Sequence, residues 1–386
     1  MNDTPVLIDD EDRYSRLKLI GWWDQQRLAS ARVLVVGAGA LGNEVLKNLA
    51  LVGIGHITLI DFDTIENSNL SRSVLFRAAD SGKPKATVAA AMIQELNPDV
   101  TVDTIQGNVL TEIGLGLMRS MDLAIGCLDN REARLWVNRM CWKVNTPWID
   151  GGIQEINGVA KVFMPPDGAC YECAMTEMDY QLIQLRYSCP LLKREDLQQG
   201  KVPTAPTIAS IIGAIQVQEA LKLLHEIPTD AGKAMVFNGA ANQFYKSDYQ
   251  HREDCLSHET YEPIIECPLT NQNTLEEVGQ WLAEQDEQNA KTAIDSLLLD
   301  RDFVTSIDCG KCHGSREVML PRPIVSMEDA ICETCQEPMV PKMQHVIDID
   351  SPLAERKLAD IGIPDHDILQ VAANNEPTFV QLAASS

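Results

Sequence analysis

Basic charge is scarce in this chain. Its 32 lysines and arginines face 56 aspartates and glutamates, a formal net charge of −24 at pH 7. A protein that binds nucleic acid or an anionic membrane surface needs lysine and arginine at the phosphates, so neither class of partner is expected. The acidic excess is equally what a solvated surface carries. An apolar leader is missing too: the opening residues MNDTPVLIDDEDRYSR are acidic, which excludes a signal peptide as read here. No run is expected to reach the roughly 20 apolar residues of a bilayer-spanning helix. Internal repeats and low-complexity tracts are not evident. The 11 cysteines of a chain with no export signal point to metal binding and catalysis rather than to disulfides, and a cytoplasmic location is the expectation.

What is present is a globular composition, 45% hydrophobic, over 386 residues, enough for one large domain and a smaller one. Residues 1–31 read as two helices. Apolar runs at Val33–Val36, Ile57–Ile60, Val100–Ile105 and Leu123–Cys127 read as strands, and KPKATVAAAMIQELNP as an alanine-rich helix ended by Asn97-Pro98. Strand and helix alternate, the pattern of a doubly wound, Rossmann-like α/β fold with a mainly parallel sheet. Further on, GVAKVFMPP and NGAANQFYKSDY read as strands, and the stretch from Thr207 to Ile227 as a long helix, apolar nearly all round and therefore buried. A boundary is placed near Tyr261-Glu262-Pro263. It separates a domain of residues 1–260 from a C-terminal module of residues 261–386. In that module a helix over Thr274–Glu284, a strand over Asp302–Ile307, a cysteine-bearing segment and a polar tail with one strand near Thr378–Leu382 are predicted.

The first strand runs into Gly37-Ala38-Gly39-Ala40-Leu41-Gly42, a G-x-G-x-x-G that opens a helix. Glycines allow a tight turn and close approach of the backbone to a phosphate, and the helix N-terminus offers free N–H groups. The second strand ends in Asp61, an acid suited to ribose hydroxyls. NAD, FAD and ATP all fit this far. The following residues divide them. Asn69, Arg72 and Lys85 come close behind the acid, and Asp129 follows a later strand. Cations and a carboxylate at strand ends suit a triphosphate with Mg2+, the cations neutralising phosphates and the carboxylate holding the metal. A nicotinamide enzyme has no use for such cations. Taken alone, each of these charges is also what an exposed loop residue looks like.

The cysteines form sets. Cys170 and Cys173 make one C-x-x-C. Cys309, Cys312, Cys332 and Cys335 make C-x2-C-x19-C-x2-C, the spacing of a zinc ribbon over residues 309–335, with redox pairs as the rival reading. Cys127 and Cys141 read as core, and Cys267 carries no signal.

Taken together, RYSR, GAGALGNEVLKNLALVG, DFDTIENSNLSR, GKPKA, CLDNREAR, the C-x-x-C and the helix ending QVQEALKLL resemble the ubiquitin-activating superfamily, which includes the adenylyltransferases of the thiamin and molybdopterin sulfur carriers. The resemblance covers roughly residues 11–260. It implies adenylation of the C-terminal glycine of a ubiquitin-like or sulfur-carrier protein by ATP. It implies that Gly37, Gly39 and Gly42 form the phosphate turn and that Asp61 binds ribose. It assigns Asn69, Arg72 and Lys85 to the phosphates and Asp129 to Mg2+. Arg16 matches a residue that reaches the γ-phosphate from the other subunit of a homodimer. The family's first C-x-x-C is completed by a second after the long helix; here Cys255 and His258 stand in that place, a departure that leaves Cys3His on Zn2+ acceptable. In the ubiquitin-activating branch the crossover segment, here near 174–206, carries a cysteine that takes the acyl group as a thioester, and Cys189 matches it. Arg186, Lys193 and Arg194 could lower its pKa. An ordinary loop cysteine, a sulfur-carrier enzyme that stops at the adenylate, a tRNA-directed adenylating dehydratase and a non-catalytic partner subunit stand as alternatives. The extra module is expected to recruit the carrier or a conjugating enzyme.

Overall fold

The computed structural model describes residues 11–188, 203–285, 293–325, 330–374 and 376–385. The apolar run Arg32–Val36 (β1) lies at the centre of an eight-stranded sheet, with Val33 to Val36 buried. Burial on both faces is what a continuous apolar strand requires. His56–Ile60 (β2), Thr101–Ile105 (β3), Leu123–Gly126 (β4) and Trp148–Gln154 (β5) pair in parallel in the order β3-β2-β1-β4-β5. Asn157–Phe163 (β6), Lys233–Asn238 (β7) and Gln243–Asp248 (β8) extend the sheet antiparallel beyond β5. The chain winds outward from β1 to β3, then crosses back to β4. The gap between the C-terminal ends of β1 and β4 is therefore a topological switch point, where open α/β sheets bind ligands.

Helices cover both faces. Gln25–Ser30 (α1) precedes β1, and the expected second N-terminal helix is only a 3-10 turn at Leu17–Leu19. Ala40–Val52 (α2) is stopped by Gly53 at φ +77, a left-handed cap. Lys85–Leu96 (α3), Val109–Glu112 (α4), Leu115–Arg119 (α5), Arg131–Lys143 (α6) and Glu177–Ser188 (α7) follow. The long helix Pro206–Leu224 (α8) packs on α2, β5 and β6. Gly213 lies against Glu44, and Gly158 against Ile208 and Ile212. Contrary to the expectation from sequence, this helix is long and apolar enough to cross a membrane by length and composition. Its position between α2 and the sheet accounts for that apolarity.

A second sheet contains Ile264–Glu266 (β9), Ile294–Asp308 (β10), Ser315–Pro321 (β11), Val340–Asp348 (β12), Ile368–Ala373 (β13) and Glu376–Gln381 (β14). Its order is β11-β10-β13-β14-β9, with β12 on β10, and only the β14–β9 pair is parallel. Leu275–Gln285 (α9) buries Leu275, Val278 and Leu282 against Ile294, Leu297 and Phe303. The strand predicted near Thr378–Leu382 is β14, but the rest of the predicted polar tail also forms strands, β12 and β13, that add Ile347, Leu369 and Val371 to a common core. The two sheets meet. Tyr261 stacks on Phe379 with centroids 4.0 Å apart, Arg301 Nη1 donates to the Leu110 carbonyl at 2.9 Å, and Leu115 N–H donates to buried Asp367 at 2.7 Å.

Candidate functional site

The glycine turn is shaped by contacts that only glycine permits. Gly37 has φ +101, and a Cβ there would lie 2.6 Å from the Cys127 carbonyl oxygen. A Cβ at Gly42 would lie 2.0 Å from the Gly37 carbonyl oxygen, so the helix start is pressed onto the turn. Gly39 differs: a Cβ there would meet nothing within 4 Å. It is the N-cap of α2 and caps no N–H with a side chain, which leaves an open approach to the helix N-terminus.

Asp61 emerges from β2 beside this turn. Its carboxylate accepts from Ala38 N–H at 2.6 Å and Asp63 N–H at 2.7 Å. Burial pushes its pKa up, against the opposing pull of Lys85 and these two N–H groups. Lys85 is the first residue of α3, and its Nζ donates to Asp63 at 2.7 Å with 10% of the side chain exposed. Asn69 and Arg72 belong to the loop between β2 and α3. Asn69 Oδ1 accepts from Glu66 N–H at 2.9 Å, and Arg72 Nη1 donates to the Ser68 carbonyl at 2.9 Å. Asp129 is exposed just past β4, where one carboxylate oxygen accepts from Asn130 Nδ2 at 3.2 Å. Asn130 caps α6 through Ala133 N–H at 2.8 Å. The glycines, Asp61 and Asp129 thus lie at the C-terminal ends of β1, β2 and β4. Lys85 is brought toward them by Asp63, two residues from Asp61.

Two residues that the motifs do not name hold this arrangement. Asn43 is fully buried, donating Nδ2 to the Ala38 and Gly39 carbonyls at 2.8 and 3.0 Å. Its Oδ1 accepts from Leu75 N–H at 2.9 Å and so ties the turn to the loop carrying Arg72. The only sequence signal is one amide in the first turn of an apolar helix. Asp63, the partner of Lys85, is the other.

Arg16 is exposed. Two residues earlier, the Tyr14 hydroxyl accepts from Asn97 Nδ2 at 2.7 Å and lies against Gly53, the C-terminal end of α2. The phosphate turn is at the other end of that 13-residue helix, roughly 20 Å away. Cys189 lies outside the described residues. Helix α7, which leads toward it, is held by Arg131–Asp179 at 2.8 Å and by the Tyr180 hydroxyl, which donates to Glu172 at 2.8 Å.

Both cysteine sets converge, each with its four ligand atoms within 4.8 Å of one another. In the first, Cys170 Sγ is 3.7 Å from Cys173 Sγ and 3.4 Å from Cys255 Sγ, and Cys173 Sγ is 3.4 Å from His258 Nε2. In the second, Cys309–Cys335 and Cys312–Cys332 sulfurs are each 3.4 Å apart. Tetrahedral Zn–S bonds of about 2.3 Å put sulfurs about 3.8 Å apart, so both sets fit such an ion. Backbone N–H groups of Cys312 and Lys311 lower the Cys309 pKa, and those of Cys335 and Thr334 lower that of Cys332 to about 6, while their sulfur partners Cys335 and Cys312 are pushed up by the neighbouring sulfurs. Burial instead raises the pKa values of Cys127 and Cys141, as core thiols require.

A model of the ThiF family matches residues 12–257. The SAMP-activating enzyme E1 of Haloferax volcanii is 33% identical over 254 residues, 63% of this chain and 87% of the relative. The sulfur carrier protein ThiS adenylyltransferase of Escherichia coli is 30% identical over 259 residues, 66% and 96%. Ubiquitin-like modifier-activating enzyme 5 of Dictyostelium discoideum is 29% identical over 264 residues, 64% and 67%. Among solved structures, E. coli MccB with ATP is similar at TM-score 0.53 and 26% identity, over 64% of this chain and 74% of that one.

Proposed function

The chain belongs to the ThiF family, and from that premise we propose that it adenylates the C-terminal carboxylate of a ubiquitin-like or sulfur-carrier protein. The observation that carries this reading is the open glycine turn at the β1–β4 switch point, with Asp61, Lys85 and Asp129 around it. In this reading residues 1–260 are the adenylation domain and 261–386 an added module. Free N–H groups at the start of α2, with Gly39 leaving room, receive phosphate oxygens. Asp61 is placed for the ribose hydroxyls. Lys85, Arg72 and Asn69 orient the phosphates. Asp129, exposed at a strand end, suits Mg2+, which when bound neutralises phosphate charge. The carrier carboxylate attacks the α-phosphorus, the α–β phosphoanhydride breaks, pyrophosphate leaves and an acyl-adenylate forms.

The neighbouring Tyr14 hydroxyl lies at the end of α2 opposite the turn, which supports a symmetric homodimer in which each Arg16 completes the partner's site. Structural Zn2+ in each cysteine set would be held by Cys170, Cys173, Cys255 and His258, and by Cys309, Cys312, Cys332 and Cys335. A second step, attack of the Cys189 thiolate on the acyl carbon with release of AMP, would give a thioester for transfer to a conjugating enzyme. The alternative is an adenylate that ends the enzyme's own chemistry, a reading to which the likeness to a ThiS adenylyltransferase lends support, as the likeness to activating enzymes does to the thioester. ATP–pyrophosphate exchange with a panel of ubiquitin-like and sulfur-carrier proteins tests both. Carrier-dependent exchange in wild type and Cys189→Ala, with a thiol-sensitive adduct only in wild type, is the result expected. Exchange without adduct selects the sulfur-carrier reading, and no exchange with any carrier would count against adenylation.

A further inference from the structure

Behind the turn that carries Asp129 lies a buried charge cluster that the adenylation step leaves unused. Asp150, in β5, is fully buried. Arg134 Nε, from the first turn of α6, donates to Asp150 Oδ1 at 2.9 Å. Lys161 Nζ, from the register partner of Asp150 on β6, donates to Oδ2 at 3.3 Å. The Lys161 ammonium also lies 5.0 Å from the Tyr171 ring centroid and 5.8 Å from that of Tyr249. Arg134 reaches beyond Asp150. Its Nη2 donates to the Leu128 carbonyl at 2.5 Å and to the Gly151 carbonyl at 2.9 Å. One guanidinium therefore joins the segment after β4 to the middle of β5, and Leu128 is the residue before Asp129. The Asp129 charge also acts on Arg134.

Two cations around one carboxylate leave a buried excess of positive charge. Such a cluster is a poor way to gain stability, because desolvation offsets the attraction. It is a good way to fix orientation, since every donor of a planar fork must be met at once. Groups behind a metal-binding carboxylate commonly set its direction.

We propose that Asp150 is a positioning residue: by clamping Arg134 it fixes the Leu128–Asp129 turn, and so holds the Asp129 carboxylate toward metal-bound nucleotide phosphate. This rests on the adenylation reading. Lys161 compensates the charge of Asp150 and steadies it from the β6 side.

Calorimetric titration of ATP into the full-length protein, in Mg2+-free buffer and in saturating Mg2+, tests it. Asp150→Asn keeps the side-chain shape and weakens the clamp. Its ATP affinity without Mg2+ is expected to stay within about twofold of the parent's, while the gain conferred by Mg2+ shrinks about tenfold or more. The double variant Asp150→Asn/Lys161→Met restores the cluster's net charge without the clamp. It is expected to recover thermal stability and to remain defective in the Mg2+ gain, and it carries the test alone should the single variant not fold. An unchanged Mg2+ gain in Asp150→Asn, or a gain restored in the double variant, overturns the proposal. Asp129→Ala is the control that loses the gain outright. A parent protein with no Mg2+-dependent ATP binding overturns the adenylation reading, and this inference with it.

Discussion

Gly39 and Gly42 are three residues apart in one motif, yet the structure gives them different reasons to be glycine. Gly42 is demanded by the fold, since a methyl group there would overlap the Gly37 carbonyl. Gly39 has room for one, at φ −71, which alanine also adopts. Gly42→Ala is therefore expected to cost about 1–3 kcal/mol or more of stability through overpacking. Gly39→Ala is expected to fold within about 1 kcal/mol of wild type. Its methyl group would stand where phosphate must approach, and losing one charge-assisted bond of about 1.5–3 kcal/mol weakens ATP binding about tenfold to a hundredfold. Thermal melts beside ATP titrations separate the two, and equal loss of stability in both variants would contradict this account. The glycines, Asp61 and Asp129 could be singled out in the sequence because each follows the end of an apolar strand, and Lys85 because it opens the alanine-rich helix. Asn43 and Asp63 could not. Asn43 binds main-chain groups and Asp63 one lysine ammonium, interactions that leave no periodicity or spacing.

Strands β1, β2 and β4 were legible as elements because both their faces are buried, leaving unbroken apolar runs, whereas β3 is a largely exposed edge strand found by its alternation with helices, and β5, broken by Asp150-Gly151-Gly152, was not predicted. The second sheet was less legible. Strand β10 spans 15 residues but carries Asp300, Arg301 and Asp302 in its middle, where its register on β12 breaks, with a second break between Val304 and Ser306. Its alternation is lost there, and only its second half was predicted. Strands β11 and β12 expose many of their side chains and have little apolar pattern to read. What supports this end of the sheet is a small core around Val304, Ile307, Val325 and Met339 that includes Cys309 and Cys332. So small a core would depend on a metal held by its cysteines. Cys312→Ser is expected to lower zinc content by one ion per chain, measured with a chromophoric chelator after unfolding. Amide exchange should quicken in β11 and β12 and stay slow in β13, while ATP affinity is unchanged. Zinc content equal to wild type would sink this assignment.

At the scale of the molecule, two contacts decide behaviour. One joins the sheets. Asp367 is buried, accepts from Leu115 and Ile368 N–H groups and lies 3.6 Å from Arg301, yet burial pushes its pKa up to about 6. The folded protein then holds this proton more tightly than the unfolded chain, whose carboxyl titrates near 3.8. The contribution of Asp367 to stability is fully present below pH 4 and is lost as pH rises through about 6, a change of about 3 kcal/mol. Asp367→Asn cannot ionise, so the stability of wild type relative to this variant should fall by that amount between pH 4 and 6.5 in denaturant titrations. A constant difference would show that Arg301 keeps the carboxylate charged throughout. The other is the contact between chains that the proposed homodimer requires. With the Tyr14 hydroxyl at the far end of α2 from the turn, the proposal is that Arg16 serves another copy, and the sites of a twofold dimer would then each be built from both chains. Arg16→Ala and Asp129→Ala should each abolish carrier-dependent pyrophosphate exchange. Mixed and allowed to re-pair, the two variants form heterodimers in which one site has both residues intact. Random pairing makes half the dimers mixed, so about a quarter of wild-type activity should return. Recovery on mixing cannot arise if Arg16 acts within its own chain, and its absence in a population shown to exchange subunits would remove the shared site.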